Sequence, residues 1–252
     1  MKKFNLITLA AGLALMLGGA AAQAGAVGEV GYGSLSGPVV TFSELADGSV
    51  IDGLLTSGGV QFGERFAGQE LAVTKAPRPG AVAQDWFDDL SFGRPTAGLM
   101  LLAGAAGANL GTYDYGGASG VALFGMGPQA GNAEGLGAVS ARFAAPVTAL
   151  GLQLLDAHGG SITLSLYRLD GSLIEQVDLS GRSDGFYAFA RSGGVADIAG
   201  FSLTNVDPYY GVSIDNLRLS AAPVPEPGSW ALMLAGLVGL GAAGGVVRRR
   251  RR

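Results

Sequence analysis

Between residues 25 and 222 the sequence predicts an all-β domain, a two-sheet sandwich of jelly-roll-like connection. Three observations predict it. The apolar residues recur with a period of two rather than 3.6, turn-forming pairs punctuate the chain at short intervals, and no long amphipathic helical stretch interrupts them. The alternation is clearest where Ile162, Leu164 and Leu166 interleave with Ser161, Thr163 and Ser165. It is also clear where Leu150, Leu152 and Leu154 interleave with Gly151 and Gln153. Further short strands are expected over 39–42, 59–62, 139–143, 173–179 and 186–190, with 212–219 as the last. Asp47-Gly48, Gly159-Gly160, Asp170-Gly171 and Asp184-Gly185 supply turn signals. Asp170-Gly171, between apolar runs at 164–169 and 173–177, is the strongest hairpin signal. Residues 97–138 are rich in Gly and Ala and admit two readings: buried strands joined by glycine turns, or a long surface loop. No repeat of fixed period is present.

The two ends of the chain are not part of that domain. Lys2 and Lys3 open a short basic segment, residues 6–22 are apolar and uncharged, and Ala22-Gln23-Ala24 places small residues at −3 and −1. This is the three-part secretory pattern, so residues 1–24 are expected to be a signal peptide that signal peptidase removes after Ala24. The alternative is a retained N-terminal anchor.

At the other end, Val224-Pro225-Glu226-Pro227 precedes nineteen uncharged residues, 229–247, and then Arg248, Arg249, Arg250, Arg251 and Arg252. As a helix the uncharged stretch is about 28 Å long, close to the ~30 Å hydrocarbon core of a bilayer. Trp230 sits at the interfacial position, and the arginines stay cytoplasmic, so the domain faces outward across the inner membrane. Gly241-x-x-x-Gly245 matches the helix-dimer pattern, but in a span so rich in Gly and Ala it adds little.

Pro-Glu-Pro, apolar span and arginine cluster, in that order at the end of an exported chain, resemble the PEP-CTERM sorting signal over residues 223–252. The resemblance implies that Pro225, Glu226 and Pro227 are read by a membrane-embedded exosortase. That enzyme removes the helix and leaves the protein released or attached at the surface of a Gram-negative cell that makes extracellular polysaccharide. An ordinary single-pass anchor behind a proline linker is the alternative. The domain carries a second outline: Phe42 to Gly48 leading to Gly58-Gly59-Val60-Gln61-Phe62, then 143–147, Leu166-Tyr167-Arg168-Leu169-Asp170-Gly171 and Ile214-Asp215-Asn216-Leu217. This resembles the carbohydrate-binding-module-like sandwiches of PEP-CTERM proteins and implies that the first and last strands pair.

Charge narrows the partners. The whole chain carries −4, but its basic residues gather at the ends. Residues 25–222 hold nine Lys and Arg against nineteen Asp and Glu, a net −10. Such a surface repels phosphate backbones, which excludes nucleic acid as a partner. With no cysteine the domain depends on its own core and has no thiol chemistry or thiolate metal site.

Nucleophile–base catalysis finds little support. The only histidine, His158, lies in a strand-to-turn connection, and no Gly-x-Ser-x-Gly occurs. Asp85, Trp86, Asp88 and Asp89 form the densest acidic cluster and include an aromatic ring, the combination a sugar site uses. An acidic surface loop explains the same residues. Tyr113, Tyr115, Tyr209 and Tyr210, set among Gly, Asp and Pro, are the aromatics expected at the surface. Glu44, Asp47 and Asp215 are candidate Ca²⁺ ligands if the first and last strands are neighbours, since Ca²⁺ takes six to eight oxygens. By the same resemblance that site would be structural. No other cofactor is expected.

The chain is therefore expected to be an exported, exosortase-processed, non-enzymatic surface or matrix protein associated with extracellular polysaccharide. A glycan-binding module with a defined site and a secreted glycosidase are the alternatives. A glycosidase needs only two carboxyl groups at a fixed separation.

Overall fold

The computed structural model describes residues 27–75, 86–117, 119–128, 135–207 and 211–221. Ala22, Ala24, Asp85, Tyr209, Tyr210, the sorting residues Val224 to Pro227 and the arginines Arg248 to Arg252 lie outside them. Eighteen strands occur among the described residues. The first nine are β1 (Val27–Val30), β2 (Val39–Val40), β3 (Val50–Ile51), β4 (Leu55–Ser57), β5 (Val60–Gly63), β6 (Arg65–Phe66), β7 (Gln69–Lys75), β8 (Trp86–Gly93) and β9 (Leu101–Leu102). Then come β10 (Leu110–Asp114), β11 (Val121–Gly125), β12 (Val139–Val147), β13 (Ala149–His158) and β14 (Ser161–Tyr167). Last are β15 (Leu173–Asp178), β16 (Ser183–Arg191), β17 (Ile198–Val206) and β18 (Ser213–Ser220). The described residues contain two short 3₁₀ turns and no helix long and apolar enough to cross a membrane.

All strand pairings among the described residues are antiparallel, and the fold is all-β and sandwich-like. One sheet runs β1-β16-β13-β18-β11-β10-β3, with β2 also on β18; the other runs β15-β14-β17-β12-β5-β4. The period-two pattern decides which side chains meet. Leu150, Leu152 and Leu154 of β13 point inward from the first sheet, and Ile162, Leu164 and Leu166 of β14 point inward from the second. Phe42, Phe62 and Phe201 fill the same layer, Phe42 edge-on to Phe62 at 5.3 Å between ring centroids. Each such side chain contributes about 1.5–3 kcal/mol by leaving water, which is how a domain without disulfides holds together.

The Asp170-Gly171 hairpin forms as expected. The Gly171 N–H closes a turn onto the Arg168 carbonyl, and Gly171 takes φ 84°, the left-handed position that follows a type I turn. Val39–Val40 pairs with the last strand, Val40 opposite Leu217. The described residues of 97–138 include buried strands: β10 and β11 are integral to the first sheet and β9 pairs with β6. Glycine is needed there for close approach. A Cβ on Gly125 would lie 2.3 Å from the Gly137 carbonyl, where the two backbones bridge.

Two expectations are corrected. Asp184-Gly185 is not a turn but lies inside β16, with Gly185 opposite Leu154. The Asp184 carboxylate is used instead to accept the Ala157 N–H at 2.8 Å, and the chain turns before it, at Gly181. The acidic segment from Trp86 is a strand, β8, rather than a loop. It pairs with β7, and together with β6 and β9 this ribbon covers part of the second sheet's outer face. Beneath it a small second core gathers Phe66, Leu99, Leu101, Tyr167 and Ala199. Gln69 donates to the Tyr167 hydroxyl at 3.2 Å, and the Ser140 and Ser202 hydroxyls meet at 2.7 Å.

Asp88 is 1% exposed in this covered layer. Its Oδ2 accepts the Ala138 N–H at 3.0 Å, while Oδ1 has no hydrogen-bond partner among the described residues. Burial pushes its carboxyl up from 3.8 to about 7, against the Ala138 N–H, which pulls it down; nearby Glu64 adds to the rise. A raised acid binds its proton more tightly folded than unfolded. Its stabilising contribution is therefore complete below about pH 4 and lost as pH rises through about 7. The melting temperature is expected to fall between about pH 4 and 7, and Asp88→Asn, which needs no proton, is expected to flatten that fall. Calorimetry across the range checks this, and an unchanged slope in the variant contradicts it.

Candidate functional site

A recess of about 640 Å³ opens at one end of the first sheet. Four neighbouring strands, β10, β11, β18 and β13, build it. Leu110, Leu123 and Ile214 on three of them point into the core. Alternation then sends Tyr113, Phe124 and Ser213 to the outer face, where they line the recess with Asp114, Tyr115 and Asp156. Tyr113 is 53% exposed and stands edge-on to Tyr115, with ring centroids 5.0 Å apart. The Phe124 ring packs directly on Gly111, where a Cβ would meet it at 2.6 Å.

The polar groups are fixed by a bulge in β13. Pairing with β16 shifts between Leu154 and His158, and Asp156 takes φ 62°, unusual for a residue with a Cβ. Carboxylates from other elements hold the backbone in that shape. Asp184 accepts the Ala157 N–H at 2.8 Å, and Asp207, 0% exposed, accepts the His158 N–H at 2.9 Å and the Gly160 N–H at 3.0 Å. The strain is thereby over-determined, and the bulge turns the Asp156 carboxylate toward the recess.

The Tyr115 hydroxyl donates to Asp156 Oδ2 at 3.3 Å and meets the Ser213 hydroxyl at 2.9 Å, which then donates to it. Burial pushes the Tyr115 phenol up and pushes the Asp156 carboxyl up as well. For Asp156, His158 and the Tyr115 hydroxyl pull the other way, while Asp184 and Asp207 add to the rise. His158 spans the two carboxylates, Nδ1 at 3.3 Å from Asp207 and Nε2 at 3.6 Å from Asp156. Asp114 anchors the far wall: its Oδ1 accepts the Gly116 N–H at 2.7 Å, and its own N–H is held by Asp47 at 2.8 Å. Aromatic faces beside oxygen acceptors suit a ligand that is apolar on its ring faces and rich in hydroxyl donors at its edges.

Of the residues singled out from sequence, the acidic cluster and the candidate Ca²⁺ ligands fall elsewhere. Asp88 and Asp89 line a smaller recess of about 250 Å³, with Ser91, Ser161, Thr163 and Thr204. Trp86 is 38% exposed, and Asp89 accepts the Ser91 N–H at 2.8 Å. Among the candidate Ca²⁺ ligands, Glu44 lies close enough to Asp215 to raise its carboxyl, which burial chiefly pushes up to about 6. Glu44 also accepts the Ser57 hydroxyl, while Asp47 serves Asp114. Asp215-Asn216 occupies a bulge, Asn216 having φ 48°. Among the described residues no group of three or more His, Asp or Glu side chains is placed to hold a metal ion. Of the expected surface aromatics, Tyr113 is exposed and Tyr115 half-buried, and both belong to the larger recess. Asp156, Asp184 and Asp207 were not foreseen, and their partners are too far apart in sequence to signal them.

No protein-family model matches the chain, and no curated protein matches it.

Because Asp207 satisfies two backbone N–H groups in a buried place, Asp207→Ala is expected to cost about 1–3 kcal/mol and release the bulge. Chemical denaturation measures the first, and tyrosine fluorescence of the Tyr113–Tyr115 pair reports the second. Unchanged values for both contradict the bracing role.

Proposed function

We propose that this chain is an exported, non-enzymatic surface or matrix protein whose jelly-roll-like sandwich binds extracellular polysaccharide. The observation that carries the binding part is the recess in which Tyr113, Tyr115 and Phe124 stand beside Asp114, Asp156 and Ser213. Its volume suits one or two sugar units, and pockets of about 300–1,000 Å³ serve ligands of that size. Pyranose rings present apolar C–H faces that stack on tyrosine and hydroxyl edges that donate to carboxylates. The smaller recess at Asp88 has hydroxyls and carboxylates with Phe87 at its wall, but only about 250 Å³ of room.

The export part rests on the sequence: signal peptide 1–24, then Pro225, Glu226 and Pro227, the span 229–247 and the terminal arginines. In this reading signal peptidase and an exosortase process the two ends in turn. The inner membrane holds the chain only until the second cut, and the domain then resides at the cell surface or outside. The net −10 of the domain keeps it clear of nucleic acid and anionic lipid.

Two experiments test the two parts. Isothermal titration against oligosaccharides from the host's matrix is expected to show binding that Tyr113→Ala weakens at least about fivefold, because stacking on an aromatic contributes ~1–3 kcal/mol per ring. Unchanged binding in Tyr113→Ala contradicts the site, and cleavage of the bound saccharide contradicts the non-enzymatic role. For sorting, replacing Pro225, Glu226 and Pro227 with alanine is expected to leave a membrane-bound species retaining Arg252, read by intact mass. Release that continues unchanged contradicts it.

A further inference from the structure

The larger recess has a charge as well as a shape. Its ionisable lining is carboxylate, Asp114 and Asp156, with the Asp184 and Asp207 carboxylates close enough behind Asp156 to act on it electrostatically. Most of the domain's described arginines are committed elsewhere. Arg65 pairs with Glu64, Arg168 and Arg191 share Asp197, Arg182 holds Glu29, and Arg218 lies over the Tyr32 ring. None of the described lining residues is Arg, Lys or His; the exposed His158 stands beside the recess, its ring between Asp156 and Asp207.

The geometry also leaves acceptor capacity facing the ligand. Each carboxylate oxygen takes about two hydrogen bonds. Asp114 uses Oδ1 on the Gly116 N–H, and Asp156 uses Oδ2 on the Tyr115 hydroxyl. The Tyr115 and Ser213 hydroxyls are chained to that carboxylate, so their protons are already directed inward. The recess is therefore rich in acceptors and poor in cationic donors.

Resting on the saccharide reading above, we infer that the recess selects sugars with a free amine: hexosamine units lacking the N-acetyl group, their ammonium set against Asp114 and Asp156 and their ring face on Tyr113. An ammonium brings three donors and a positive charge to a site that offers acceptors and negative charge. N-acetylation removes both the charge and two of the donors. A uronate or sulfate brings its own anion against the two carboxylates and is repelled.

Titration of the full-length chain in detergent separates the possibilities, using hexamers of glucosamine, N-acetylglucosamine and a uronic acid, with spermine as an amine lacking a ring. The glucosamine hexamer is expected to bind about tenfold tighter than the N-acetylated one, an advantage that shrinks as salt is raised. Asp114→Asn with Asp156→Asn is expected to weaken the glucosamine hexamer more than the N-acetylated one and so to abolish the tenfold advantage, whereas Tyr113→Ala weakens both hexamers alike; asparagine keeps the shape and tolerates the left-handed backbone at 156. N-acetylglucosamine or uronate binding as tightly as glucosamine, with Tyr113→Ala still weakening it, overturns the amine preference and leaves the saccharide site standing. Spermine binding as tightly as the glucosamine hexamer overturns it too, by showing that charge alone suffices. Binding of none of the four overturns both.

Discussion

A single apolar layer between two sheets carries this fold, because the chain has no cysteine to staple it. Leucines of β13 and β14 meet phenylalanines of the strands around them, and period-two alternation then leaves each sheet one outer face to dispose of. The two outer faces meet different fates. The second sheet is partly roofed by the β6–β9 and β7–β8 ribbons, which bury a smaller core and a polar layer with Gln69, Ser140, Ser202 and Asp88. The first sheet keeps a pocketed outer face at the β10–β11 end, and the recess lies there.

That recess depends on one local departure from regular pairing. A strand through Leu154 without a bulge would carry the chain on in register with β16. The bulge instead places Asp156 beside Tyr115, and Asp184 and Asp207 hold the strained backbone by taking three N–H groups. Gathering carboxylates in this way raises the cost of ionising Asp156 and concentrates negative potential at the mouth. Structure and the proposed ligand preference thus rest on the same residues: the groups that brace the bulge also set the field in front of it.

The legible parts of the fold were those where small or polar residues alternate with large apolar ones in the sequence. β14 read correctly because Ser161 and Thr163 alternate with buried leucines and isoleucine, β13 because Gly151 and Gln153 separate its leucines even though both its faces are buried, and Asp170-Gly171 because its turn needs a glycine with positive φ. β17 did not read at all. The ribbon covers its outer side, so its burial runs almost unbroken and carries no alternation, and Gly200 in its middle resembles a break. Asp184-Gly185 misled for a related reason: the same dipeptide that makes a hairpin also suits a strand whose aspartate is needed by a neighbour. Exposed tyrosines could be guessed from the company of Gly and Asp, which found Tyr113 and Tyr115. The acids that complete the recess could not. Asp156 and Asp207 meet only through a bulge and across some fifty residues of chain, as the His158 N–H to Asp207 bond shows. The proposed sorting signal, by contrast, consists of consecutive residues and needs no fold to be read.

The location of the binding face is the central claim, and hydrogen exchange on the full-length chain with and without a saturating glucosamine hexamer tests it most directly. The account predicts slower exchange confined to residues 110–125, the end of β13 near 154–160, and the start of β18 near 213. Protection centred on residues 86–93 and 161–167 would move the site to the recess beside Asp88. Protection nowhere in the domain would contradict the account outright.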